Sequence, residues 1–235
     1  MDRMKFLLPG IVVFIATSVG FAQTPSGEEL LRRCERNFES IEDYVVDLTG
    51  AISMERVRIP EMNAVLYFKR PDKIDVRSES FAMLPREGFA LPVTELVRNY
   101  DAILKGKETV EDQQWYRLEL TAKKAAARVQ NLTVWIDPGN YTVTQTSSSP
   151  YRGRSVTVRT WYARHQDRYW LPERMLVTLI SAVPDTASVE EFSLPGRPQP
   201  EEFRRSPRNG TMEIRYSNYR INSGLSDDLF KREME

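Results

Sequence analysis

The chain has 235 residues, of which 41% are hydrophobic and 28% charged, with 33 basic and 33 acidic side chains and one each of histidine and cysteine. That apolar content excludes an intrinsically disordered chain. The zero net charge gives no global field to gather nucleic acid, and none is expected as a partner.

Residues 1–22 have the three-part layout of a secretory leader. Arg3 and Lys5 supply the positive start, Phe6 to Val19 is mostly apolar, and Gly20-Phe21-Ala22 places small residues before a cut ahead of Gln23. The apolar run falls short of the roughly 20 residues of a membrane span. The expectation is an exported protein, soluble after cleavage, with residues 23–235 forming one domain. Losing Asp2, Arg3 and Lys5 leaves a net charge of about −1. Cys34, being alone, cannot form an internal disulfide, so stability must come from the core.

Ser26 stands three residues before Glu29, the capping-box spacing. Leu30, Leu31, Cys34, Phe38 and Ile41 then mark one face of a helix of about 13 residues, with Cys34 buried. After Asp43 the apolar period changes to two. Strands are predicted at 44–53, 62–70, 73–80, 97–105, 107–112, 114–122, 130–137, 140–148, 154–165, 168–181 and 210–222. Met62, Ala64, Leu66 and Phe68 alternate with Asn63, Val65, Tyr67 and Lys69, which means one dry and one wet face. Asp137-Pro138-Gly139-Asn140 is the strongest hairpin signal, and Gly106, Pro71-Asp72, His165-Gln166-Asp167 and Asn209-Gly210 mark further turns. So many short-linked strands predict a large, curling antiparallel meander.

Two segments do not read as strands. Phe81 to Leu96 carries Phe81, Met83, Leu84, Phe89, Leu91 and Val93, interrupted by Pro85, Gly88 and Pro92, and is too apolar for a surface loop. Pro184 to Asn209 is a proline-rich loop or arm.

Little in the sequence suggests catalysis. One histidine and one cysteine nearly exclude zinc-type sites, which need three or four such ligands. His165 reads as a surface residue in a turn. No nucleophile-elbow, phosphate-loop, dinucleotide or EF-hand pattern is present. The expectation is a protein that is not an enzyme, with no catalytic residue, metal or cofactor.

The helix and long strand are followed by Tyr67-Phe68-Lys69-Arg70-Pro71-Asp72-Lys73-Ile74. Further on come Leu132-Thr133-Val134-Trp135-Ile136-Asp137-Pro138 and an ending of Tyr216-Ser217-Asn218-Tyr219-Arg220-Ile221-Asn222, then Gly224-Leu225-Ser226-Asp227-Asp228-Leu229-Phe230. In these motifs the chain resembles the periplasmic carriers of the LolA-like family, in the branch of outer-membrane lipoprotein-sorting proteins. The Asn99-Tyr100-Asp101-Ala102-Ile103 stretch departs from that family's Gly-x-x-x-Trp segment.

The resemblance implies a mainly β, α+β fold: a curved, unclosed antiparallel barrel of about eleven strands with helices covering its mouth. It also implies a monomeric periplasmic carrier that holds acyl chains of lipoproteins or related lipids in a cavity. An inner-membrane donor and an outer-membrane acceptor would be its protein partners. Burying acyl chain gains about 0.8 kcal/mol per CH₂, on the order of 12 kcal/mol for a 16-carbon chain. Met62, Leu66 and Phe68 are the candidate wall, and Phe81, Met83, Leu84, Phe89 and Leu91 the candidate cover. Arg70 matches the family's arginine that hydrogen-bonds to the covering helices and gates them. Two other roles fit the same resemblance: a sensor that binds lipid and a signalling partner, or an envelope assembly module that contacts only proteins.

Overall fold

The computed structural model describes residues 24–54, 57–78, 93–125, 127, 129–148, 154–181 and 209–231. The elements in chain order are helix α1 (Gly27–Arg36), strands β1 (Asp43–Met54), β2 (Val57–Lys69) and β3 (Lys73–Arg77), and helix α2 (Val93–Asn99). Strands β4 (Tyr100–Val110), β5 (Gln113–Ala122), β6 (Asn131–Ile136), β7 (Val143–Ser148), β8 (Arg154–His165), β9 (Tyr169–Ser181) and β10 (Asn209–Ile221) follow, then a 3-10 turn at Asp227–Phe230.

All ten strands pair antiparallel in one sheet, in the order β3-β2-β1-β10-β9-β8-β7-β6-β5-β4. Neighbours in sequence are neighbours in the sheet, except that β10 inserts between β1 and β9. Strands β3 and β4 are the two edges, so the curved sheet does not close. The α+β class and the unclosed antiparallel sheet expected from the sequence are what the chain adopts.

Registry makes the inner face continuous. Leu66 lies opposite Val46, Leu48 opposite Tyr216, and Ile214 opposite Met175. Val177 lies opposite Val158, Val158 opposite Thr146, and Thr146 opposite Val134. Val134 faces Leu118, which faces Leu104. Alternation of period two turns each strand's apolar positions to this side. The opposite face carries charge stacked on indole: the Arg159 guanidinium lies 5.5 Å from the Trp115 ring and 4.8 Å from that of Trp161, with Arg174 3.7 Å from Trp161.

Helix α1 starts where the sequence places it. Ser26 Oγ accepts from the Glu29 N–H at 3.1 Å, and Leu30, Leu31 and Cys34 are buried. It ends earlier than the apolar spacing suggests. After Arg36 the chain turns, and the Asn37 side-chain amide donates to the carbonyls of Asn140 and Tyr141 at 2.6 and 2.9 Å. Phe38 and Ile41 still pack inward, but from beyond the helix.

The eleven predicted strands become ten among the described residues. Gly106 is a bulge and not a turn: its φ of +122° lets β4 shift register between Leu104 and Gly106 without leaving the ladder. The reversal comes at Glu111 and Asp112, with φ of 48° and 63°, joining β4 to β5. Residues 97–99, predicted as strand, end helix α2, whose Val93 and Leu96 pack inward one turn apart.

Candidate functional site

The inner face carries two large apolar clusters. One joins Leu30, Leu31 and Cys34 of α1 and Val93 and Leu96 of α2 to Leu118, Leu120, Leu132, Val134 and Ile136. The other lies across β1, β2, β9 and β10: Val46, Leu48, Ile52, Met62, Ala64, Leu66, Met175, Ile214 and Tyr216. Among the described residues both helices pack against β4 and each other, over the first cluster. Neither α1 nor α2 contributes a residue to the second.

The predicted wall residues stand in that second half. Met62 and Leu66 are buried on the inner face, and Phe68 is half-buried and stacks on Tyr44 with ring centroids 4.9 Å apart. The sequence-based wall did not include their companions: Ile74, Val76, Val158, Val177 and Met212 are half-buried against the same cluster. The alternation of β3, β8, β9 and β10 carried the signal that would have found them. Phe81, Met83, Leu84, Phe89 and Leu91, the predicted cover, lie outside the described residues, as does 184–208 of the proline-rich segment.

Burial pushes the phenols of Tyr44 and Tyr162 well above their ordinary range, yet both side chains remain only half-buried. Protein-dense surroundings combined with residual accessible surface are what a residue lining a concavity shows. A shallow depression of about 350 Å³ also occurs at the far ends of β1, β9 and β10, lined by Ser53, Leu179, Ile180 and Gly210. It lies away from Leu66 and Phe68.

Helix α1 and the turn that follows it link the two halves. At its start, Gly27 packs so tightly on β4 that an added Cβ would stand 2.5 Å from the Ala102 carbonyl oxygen. Arg33 donates to the Tyr141 hydroxyl at 2.8 Å. In the turn after the helix, the Glu39 carbonyl accepts from the guanidinium of Arg70, and the Glu42 carbonyl accepts from the Arg70 backbone N–H at 2.9 Å. Arg70 thus ties the end of β2 to the segment leaving α1.

The C-terminal residues close this end of the sheet. Asp43, 3% exposed, accepts from the backbone N–H groups of Ser223, Gly224 and Leu225 at 2.7, 2.9 and 3.1 Å, and from the Ser223 hydroxyl at 3.1 Å. Burial alone would raise its carboxyl, but the hydrogen bonds from Leu225, Ser223 and Gly224 outweigh it and hold the carboxyl below its usual range. Asp227 bridges Lys69 and Lys73, directly opposite each other across β2 and β3, at 2.6 and 2.8 Å. Those two ammonium partners lower its carboxyl to about 2.

His165 does not face water as the turn position suggested. It packs on the Tyr219 ring at 4.6 Å, half-buried, and desolvation lowers its imidazole. Cys34 is fully buried, and burial pushes its thiol up to about 12. Among the described residues no group of three or more His, Cys, Asp or Glu could hold a metal ion, and no helix is long and apolar enough to cross a membrane.

No family model matches the chain, and no curated protein matches it significantly in sequence. Solved structures do match in fold. One is described as an outer-membrane lipoprotein-sorting protein domain from Vibrio parahaemolyticus, with a TM-score of 0.61 and 14% identity over 87% of this chain and 95% of that one. A DUF1329 family protein from Desulfovibrio piger matches at 0.61 and 17%, over the same shares. A LolA superfamily protein from Nitrosomonas europaea matches at 0.58 and 13%, over 89% of this chain and 99% of that one. The chain has the LolA-like fold.

Proposed function

We propose that the chain is a periplasmic carrier that binds the acyl chains of lipoproteins or related lipids against the inner face of its sheet and helps deliver them to the outer membrane. The observation that carries this reading is the uneven covering of that face. An ordinary core would place helices over the whole apolar wall. Here the described helices sit over the β4–β6 half, while Val158, Val177, Met212, Ile74 and Val76 keep accessible surface on the other half. Apolar surface left on a concave wall is where acyl chain gains its transfer free energy. No catalytic group is needed for that task.

On this reading residues 1–22 are the export leader and Arg70 holds the α1 cover down. Phe81 to Leu91 supplies further apolar cover. The fold shared with lipoprotein-sorting and LolA superfamily proteins supports the same assignment. The test is to produce the protein from Gln23 onward, extract it with organic solvent and look for acyl lipids by mass spectrometry. Stoichiometric lipid is expected. A folded protein that carries none, and takes up no fluorescent acyl probe, ends the carrier reading.

A further inference from the structure

The inner face is not apolar throughout. Four threonines are buried on β7, on β8 and in the turn before β7: Thr142, Thr144, Thr146 and Thr160. Two have ordinary partners, since the Thr142 hydroxyl donates to Asn140 Oδ1 at 2.7 Å and that of Thr144 to the Trp135 carbonyl at 3.2 Å. The hydroxyls of Thr146 and Thr160, on residues only 8 and 9% exposed, make no hydrogen bond among the described residues.

We propose that Thr146 and Thr160 form a polar subsite for the neutral carbonyl of an acyl ester or amide whose chain lies along the inner wall. The proposal rests on the acyl-binding reading and specifies what part of the ligand stands where. Registry fixes the place. Thr146 lies opposite Val134 of the helix-covered cluster, and Thr160 opposite Met175 of the uncovered one. Val158 pairs with Thr146 and is two residues from Thr160, so both threonines share one face at the seam between the clusters.

Both residues are more than nine-tenths buried, yet neither hydroxyl oxygen is among the fully buried unpaired atoms, so each keeps surface open to a ligand on a wall where valine would offer no donor. A carbonyl oxygen with two lone pairs can take both donors. The charge of the ligand follows as well. Among the described residues the only buried ionised side chain is Asp43, fully occupied at the strand ends, and no lysine or arginine is buried. A free carboxylate would enter without a counter-ion, whereas an ester or amide needs only the hydroxyls.

The experiment measures displacement of a fluorescent acyl probe by four competitors of equal chain length: a monoacylglycerol, an N-acylated amino-acid amide, the free fatty acid and the plain alkane. The protein is wild type, the double variant Thr146→Val with Thr160→Val, or Thr146→Ser with Thr160→Ser. The valine pair should weaken the ester and amide by about two- to tenfold per hydroxyl and leave the alkane unchanged or tighter. The serine pair should keep ester and amide affinity, and the valine pair should melt no lower than wild type. Equal loss for all four competitors, or no loss for any, overturns the subsite while leaving acyl binding in place. A wild-type protein that binds no acyl probe overturns the carrier reading and the subsite together.

Discussion

The guanidinium of Arg70, at the end of β2, donates to the backbone carbonyl of Glu39, in the turn that leaves α1. Glu39 lies between α1, which packs on edge β4, and β1, which pairs with β2, so this bond anchors the segment that carries α1 to the end of β2. A planar five-donor group suits such a carbonyl, and leucine cannot replace it. Arg70→Leu should therefore release α1 more often without unfolding the sheet. Cys34 reports this, because its thiol is buried on α1 and held near 12. Native-state alkylation of Cys34 should run several-fold faster in the variant, with little change in melting temperature. An unchanged alkylation rate would remove Arg70 from the gating role.

Gly27 meets the Ala102 carbonyl oxygen and carbon at 2.5 and 2.7 Å from its would-be Cβ. Gly27→Ala improves helix propensity by up to about 1 kcal/mol, yet the clash is with backbone that cannot rotate away. The clash should win, lowering stability by about 1–3 kcal/mol and speeding Cys34 alkylation. Thermal unfolding checks the first outcome; a variant more stable than wild type would show that α1 docks less tightly on β4.

Asp43 and Asp227 set the acid limit of the fold. Both carboxyls lie below their ordinary values, so each contributes stability above the unfolded pKa, about 3.9, that is lost as pH falls through the folded value. Melting temperature should hold steady near neutrality and fall between about pH 4 and 2. Asp43→Asn should cost about 1–3 kcal/mol near neutrality, because an amide cannot accept the same set of N–H bonds, and should flatten the acid slope. Melting curves from pH 2 to 7 measure both. A slope unchanged by Asp43→Asn would exclude this carboxylate as its source.

Leu66 and Val177 separate core from wall. Leu66 is 1% exposed, and Leu66→Ala should cost about 2–5 kcal/mol through the cavity it leaves. Val177 is half-buried on the same face, so Val177→Asp should be tolerated better while reducing uptake of a fluorescent acyl probe at least tenfold. Binding and melting measured together decide the matter. A stable Val177→Asp that binds as wild type would place the ligand elsewhere.

Much of this was legible from periodicity. Met62, Ala64 and Leu66 alternate with Asn63, Val65 and Tyr67 because one face of β2 meets a core and the other does not, so their inward placement followed. The Ser26 cap was equally local. What failed was what depends on partners distant in sequence. Residues 97–99 have strand-like composition, but Val93 and Leu96 have Leu30 and Leu31 of α1 to pack against, and the helix wins. Gly106 signals a turn in isolation, whereas pairing with β5 on both sides of it keeps β4 one strand through a bulge. Thr146 and Thr160 look like ordinary strand residues. Only registry shows that two hydroxyls stand diagonally across β7 and β8 on the same inner face.

The insertion of β10 between β1 and β9 has a consequence for how the chain is made. Asp43 to Met54 and Asn209 to Ile221 must find each other across nearly the whole sequence before the sheet is complete. Long-range antiparallel pairing of this kind is slow, because loop closure comes before any contact rewards it. Until the last strand leaves the ribosome, β1–β3 and β4–β9 can exist only as two half-sheets with open apolar faces. A chain built this way acquires its finished shape only after its far end has arrived.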